Sequence, residues 1–147
     1  MTIADVVTQQ GNCTFDCGGA QIRAHSRQLA TVVTIRGEID AVNVGRISEY
    51  IRRFTLGQNP VVLEMGDVSH FAAAGISLLY AFDEDCRAAG VEWTLAAGPA
   101  VIDLLSDGYD EARFPTTHSV HEALHNLAEA IVSRRQLVLP PSRRPRN

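Results

Sequence analysis

Apolar residues along the chain switch between two periods, and the switches mark out its elements. Residues 30–37 (ATVVTIRG) are rich in β-branched side chains and predict a strand. Ahead of it, residues 20–26 alternate weakly through Ile22 and Ala24, which predicts a strand opening the sheet. GEIDAVN, Gly37 to Asn43, then turns the chain. Val44, Ile47, Ile51 and Phe54 follow at helical spacing, with arginines and Glu49 on the other side, and Gly57 and Pro60 mark the end. Pro60 to Met65 is nearly all apolar, as an interior strand covered on both faces requires.

The stretch Val61 to Ile76, VVLEMGDVSHFAAAGI, reads as a buried strand, a tight loop and a helix beginning on small residues. That helix spans Gly75 to Ala89, is closed by Gly90, and carries Asp83, Glu84 and Asp85 on a solvated outer side. Val91 to Ala96 is the next strand, with Trp93 in the core. Pro99 suits the first turn of a short helix over residues 100–105, and Phe114 and Pro115 form a brief edge strand. Ser119 and Glu122 have capping-box spacing ahead of an apolar stripe of Val120, Leu124, Leu127 and Ile131. Beyond Ser133 the prolines of RRQLVLPPSRRPRN are expected to end regular helix and leave a tail. The element order implies one α/β domain, a mixed sheet of four to five strands covered by about four helices. Residues 1–19 form an N-terminal arm or added edge strand, 20–133 the domain, and 134–147 an Arg/Pro-rich tail.

Composition narrows the functional classes. The 147 residues fit one domain, 46% apolar and 20% charged. No apolar run approaches the roughly 20 residues that span a bilayer, and the N-terminal residues lack the pattern of a secretory signal. The expectation is a cytoplasmic protein with no integral membrane segment. All 13 basic residues are arginine, which excludes Schiff-base lysines and a lysine-bearing phosphate loop. The 17 acidic residues all precede residue 134, against eight arginines there, while the last 14 residues hold five arginines and no acid. An acidic body argues against nucleic acid as the partner.

Candidate chemistry is sparse. Cys13, Cys17 and Cys86 are odd in number, and the C-x-x-x-C spacing of the first two matches neither a thioredoxin-like nor a zinc-ribbon pattern, so free thiols are expected. His118 precedes the last helix, leaving His121 and His125 at i, i+4 without a third ligand, and no metal is expected. Asp40 and Glu64 stand near strand ends, but two acids alone specify no reaction. Hydrolase, zinc-protease, dinucleotide and P-loop motifs are all missing. The chain reads as a non-enzyme without cofactors.

Three signatures in order resemble the STAS domain, the fold of bacterial anti-sigma factor antagonists, over about residues 20–132. GEID, residues 37–40, resembles the family's turn after its main strand. VVLEMGDVSHFAAAG resembles its strand followed by Asp-x-Ser-x-x-x-hydrophobic and Asp-Ser-x-Gly. RAAGVEWTLA, the short helix after Pro99 and SVHEAL match the closing pattern. Glu64 stands where the family's strand commonly ends in Asp, and Ala72-Ala73 replace the Asp-Ser pair, while Gly75 is kept.

In the family, a kinase phosphorylates that serine and the phosphoserine breaks the antagonist–kinase complex. Alanine has no hydroxyl, so residue 73 takes no phosphate and matches the unphosphorylated state in size and charge. The resemblance implies a module that binds an anti-sigma factor or an ATPase-fold kinase-like protein, with a homodimer also allowed. The implied contact residues are Gly37, Glu38, Asp40, Asn43, Ser69, His70, Ala72, Ala73, Ala74, Gly75 and Ser77, with Ser69 and Ser77 as subordinate phosphoacceptor candidates. Two other readings stay open. One is a scaffold or accessory subunit of a stress-sensing or lipid-transport ATPase assembly; the other is a small-ligand or nucleotide sensor resting on the acidic strand-end turn.

Overall fold

The structure is a computed structural model that describes residues 14–27, 30–107 and 114–143, those beyond Ser133 as backbone only. Seven strands form one mixed sheet: β1 Thr14–Asp16, β2 Ala20–Ser26, β3 Thr31–Ile39, β4 Val61–Met65, β5 Val68–Phe71, β6 Trp93–Ala97 and β7 Thr116–Thr117. The order across the sheet is β1-β2-β3-β4-β6-β7, with β5 also on β3. β1–β2 and β2–β3 are antiparallel, and the remaining pairs are parallel. Four α-helices accompany it: α1 Val44–Ile51, α2 Ala74–Ala89, α3 Pro99–Asp107 and α4 Val120–Arg143, with a 3-10 turn at Arg52–Leu56 after α1.

Two apolar clusters lie on the sheet. The larger joins Ile22, Val33, Ile35, Leu63 and Leu95 to Ile47 and Ile51 of α1, Leu78, Leu79 and Phe82 of α2, and Val101 and Leu105 of α3. The smaller joins Val32, Val62 and Ala96 to Ala123 and Leu127 of α4. Alternate residues of β3, β4 and β6 therefore serve different clusters, which is why β4 is apolar almost throughout. Each large aliphatic side chain buried this way contributes about 1.5–3 kcal/mol.

Several expectations about elements change. The sheet has seven described strands rather than four or five. β1 realises the added edge strand at residues 14–16; it is fastened by Phe15 stacking on Tyr50 of α1, ring centroids 4.1 Å apart, with Arg53 4.1 Å over the other ring. β3 continues to Ile39, so the turn begins at Asp40 rather than Gly37. Residues 68–71 form a strand rather than a loop, because the end of β3 offers them a ladder. The C-terminal edge strand is Thr116–Thr117, two residues past Phe114–Pro115; Phe114 instead packs edge-on to Tyr80, with ring centroids 5.1 Å apart.

The helix α4 also runs beyond Ser133 to Arg143, through Pro140 and Pro141, where a tail was expected. A proline deletes only its own N–H bond and crowds the turn before it, and near a helix end few bonds remain to lose. The capping box is present: Ser119 Oγ accepts from the Glu122 N–H at 3.1 Å, and Glu122 Oε1 accepts from the His118 N–H at 3.0 Å. His125 lies 3.3 Å from Glu129.

The Asp83–Asp85 face of α2 is less solvated than expected. Asp83 accepts a hydrogen bond from the Trp93 indole at 2.9 Å and pairs with Arg87 at 3.2 Å, while Asp85 pairs with Arg52 at 3.4 Å; only Glu84 is fully outward. Trp93 is buried, as expected, and the indole N–H explains why an acid sits beside it. Cys17 and Cys86 are free and buried; Cys13 lies outside the described residues.

Burial pushes the Cys86 thiol up to about 12, with Asp83 and Asp85 adding to the effect. A thiol with its folded pKa raised stabilises the fold up to its unfolded pKa, and that contribution is lost as the pH climbs above it. Native protein should therefore leave Cys86 unmodified by iodoacetamide at pH 8, with labelling appearing only in denaturant, and stability should fall above about pH 9. Rapid Cys86 labelling of the folded chain, read by peptide mass, would contradict this placement.

Candidate docking surface

The site is built where β3 outruns β4. Its first half pairs with β4 through Thr31–Val61 to Thr34–Glu64, and its second half with β5 through Gly37–Val68, Glu38–His70 and Ile39–Phe71. The register jumps between Gly37 and Glu38, which leaves Ser69 as an extra residue opposite the break. The link between β4 and β5 is a turn in which Glu64 Oε2 accepts the Gly66 N–H at 3.1 Å. Gly37 adopts φ +101°, and a Cβ there would run into the Gly19 carbonyl, so only glycine fits the kink.

Asn43 holds this end of the molecule together. It is 1% exposed. Its Nδ2 donates to the Glu38 carbonyl at 2.8 Å and the Gly18 carbonyl at 3.1 Å, and its Oδ1 accepts from the Asp40 N–H at 3.0 Å. Asp40 Oδ1 in turn accepts from the Val42 and Asn43 N–H groups at 2.9 and 3.2 Å. The turn is thereby rigid, and it presents Val42 outward at 89% exposure.

The turn and the start of α2 meet through one backbone bond, Ala72 N–H to the Ile39 carbonyl at 2.9 Å. Ala73 is the N-cap of α2, exposed, and no side chain caps the helix there. The first helical turn consequently keeps the partial positive charge of its N–H groups without a side-chain acceptor. Gly75 is buried because the Phe71 ring occupies the space a Cβ would need.

The expected contact residues fall into two groups. Glu38, Ser69, His70, Ala73 and Ser77 are exposed; Gly37, Asp40, Ala72 and Ala74 are half-buried at the same end of the sheet. Asn43 and Gly75 are corrected: they are buried, Asn43 because its amide is spent inside the protein and Gly75 because it packs on Phe71. Ser69 Oγ donates to the Gly37 carbonyl at 3.2 Å and Ser77 Oγ to the Ala74 carbonyl at 2.7 Å. Val42 escaped the sequence reading. An apolar residue between two turn formers is unremarkable in sequence, and only its exposure distinguishes it.

A cleft of about 410 Å³ opens behind the kink, lined by Asp16, Gly19, Gln21, Arg36, Gly37 and Asp67. It offers a nucleotide two carboxylates and no aromatic or aliphatic wall for a base. Asp40 and Glu64 are each committed to an N–H of their own turn.

A mixed sheet with a rigid strand-end turn abutting an uncapped helix start defines the class of protein. The STAS domain profile matches residues 21–123, and the chain belongs to that family. Osmosensory protein A of Mycobacterium tuberculosis is 61% identical over 139 residues, 92% of this chain and 88% of that protein. Among solved structures, an anti-sigma factor antagonist from Mycobacterium paratuberculosis superposes with a TM-score of 0.66 at 21% identity, over 73% of this chain and 92% of that one. The unphosphorylated form of the anti-sigma factor antagonist SpoIIAA gives 0.60 at 15% identity, over 74% and 96%. At these identities the two superpositions speak for the fold.

Asn43→Ala would remove the partner of the part-buried Gly18 and Glu38 carbonyls and of the Asp40 N–H, and should cost about 2–3 kcal/mol in urea-induced unfolding. A loss below about 0.5 kcal/mol would show that the amide is not the tie described.

Proposed function

We propose that this chain is a non-catalytic, cytoplasmic protein-interaction module that docks an anti-sigma factor or an ATPase-fold kinase-like protein through the turn at residues 38–42 and the start of α2. The observation that carries the reading is Ala73, exposed at the uncapped N-terminus of α2 beside that turn. Small side chains at residues 72–74 let a partner's backbone approach closely, and the rigid turn supplies Val42 as an apolar knob for a partner's pocket. Residue 73 lacks the hydroxyl that a phosphoserine switch requires. Control therefore rests on abundance, on the partner's state, or on Ser69 or Ser77, whose hydroxyls are exposed but already bonded to carbonyls.

A stress-sensing assembly is the second reading, favoured by the 61% identity to osmosensory protein A. The two readings share the docking surface and differ in the circuit it serves. Pull-down from native lysate with the full chain distinguishes them. An anti-sigma or kinase-like partner supports the first, and a large assembly free of sigma-system proteins supports the second.

Two substitutions test the surface once a partner is in hand. Ala73→Glu places charge at the centre of the contact, while its folding is favoured by about 0.3–1 kcal/mol from the helix dipole. Its binding should weaken at least about tenfold, equivalent to some 1.4 kcal/mol. Val42→Glu, measured by calorimetry, should weaken binding by about as much. Wild-type affinity in both variants would eliminate this face as the docking site.

A further inference from the structure

The arginines whose side chains are described divide by location. Arg46 lies 6.0 Å over Phe15, Arg53 lies over Tyr50, Arg52 pairs with Asp85 and Arg87 pairs with Asp83. The other three, Arg23 and Arg36 in the sheet and Arg27 just past β2, are exposed and take part in none of the ion pairs or ring contacts among the described residues.

Two of the three form a row along β2 and the residue just past its end. Ile22 points into the larger core, so Gln21, Arg23 and His25 point to the opposite face. Arg27 comes two residues later, where its N–H donates to the Ala30 carbonyl at 2.8 Å and closes the connection to β3. Arg23 stands opposite Thr34 and His25 opposite Val32, at the end of β3 remote from Ile39 and the docking surface. α4 covers Val32, Val62 and Ala96 on this face, while Arg23 and Arg27 stay open to solvent. The positive potential of the row is registered by His25, whose pKa is lowered first by burial and then by the charges of Arg27 and Arg23.

We propose that the Arg23–His25–Arg27 row is a second interaction surface, separate from the docking turn, that receives an extended acidic polypeptide segment with carboxylates at alternate residues. The row spans about 13 Å, and alternate side chains of an extended strand repeat at about 7 Å, which sets carboxylates in register with both guanidinium forks. The size of the footprint selects this occupant. A lipid surface would press on the whole face and bring Asp16, Glu38 and Asp67 against its own negative charge. A nucleic-acid strand carries a charge at every phosphate and needs a longer run of cations than two arginines supply. A short segment covers the row and leaves those acids in water.

The test uses the full chain and peptides of about twelve residues, long enough to overrun the row. One alternates glutamate with serine and the other replaces each glutamate by glutamine. Fluorescence anisotropy should show the glutamate peptide binding and the glutamine peptide not, with affinity falling as salt rises. R23Q/R27Q should weaken the glutamate peptide about fivefold. R23E/R27E should exchange its preference for an arginine–serine peptide, a gain that misfolding does not mimic. Equal binding of the two wild-type probes, or an unchanged Kd in R23Q/R27Q, overturns the proposal. So does tighter binding of oligothymidylate or phosphatidylserine vesicles that is lost in the same variant, because the row would then be a phosphate site.

Discussion

One buried amide sets the architecture of the functional end of this protein. Asn43 is bonded to Gly18 before β2, to Glu38 in β3 and to Asp40 in the turn, so one side chain ties the end of β3 and its turn to a segment 25 residues earlier. Each bond is worth roughly 1 kcal/mol net, and each would cost more if left unmade in the interior. The consequence is positional. With the turn immobile, α1 leaves the sheet at a defined angle, and Ile39 keeps its carbonyl available for Ala72.

The kink at Gly37 is the other half of the device. By adopting a positive φ that tolerates no Cβ, β3 changes partners from β4 to β5 without leaving the sheet. The strand thus pairs with β4 along its first half and with β5 along its second, and Ile39 still reaches the core from the second half. Phe71 ends β5 and fills the space over Gly75, so the helix start is packed from below while Ala73 faces out. A rigid small-residue platform follows from these contacts, and rigidity lowers the entropy lost when a partner docks.

Charge is organised with the same economy. Four described arginines on and around α1 and α2 are matched to acids or aromatic rings and belong to the fold. Arg23, Arg27 and Arg36 take part in no ion pair or ring contact among the described residues, which separates them from the arginines that hold the protein together. The acids of α2 illustrate the reverse: Asp83 looks like surface in sequence but completes the hydrogen bonding of a buried tryptophan.

Much of the fold was legible in sequence because its signals are local. β2, the interior strand β4, the helix closed by Gly90 and the capping box at Ser119 each follow from periodicity or end chemistry within a few residues. Ala73 was legible too, since the absence of a hydroxyl is a fact of covalent structure. β5 was not, because a four-residue strand exists only where a neighbour offers a ladder, and β3 offers one only after its kink. The roles of Asn43, Gly75 and Val42 were equally hidden: they depend on which carbonyls, rings or solvent lie nearby. The sequence by itself determined the elements and the chemistry excluded at residue 73. The tertiary structure alone decided which polar groups are spent inside and which face outward, because burial and hydrogen-bond satisfaction depend on residues far apart in the chain.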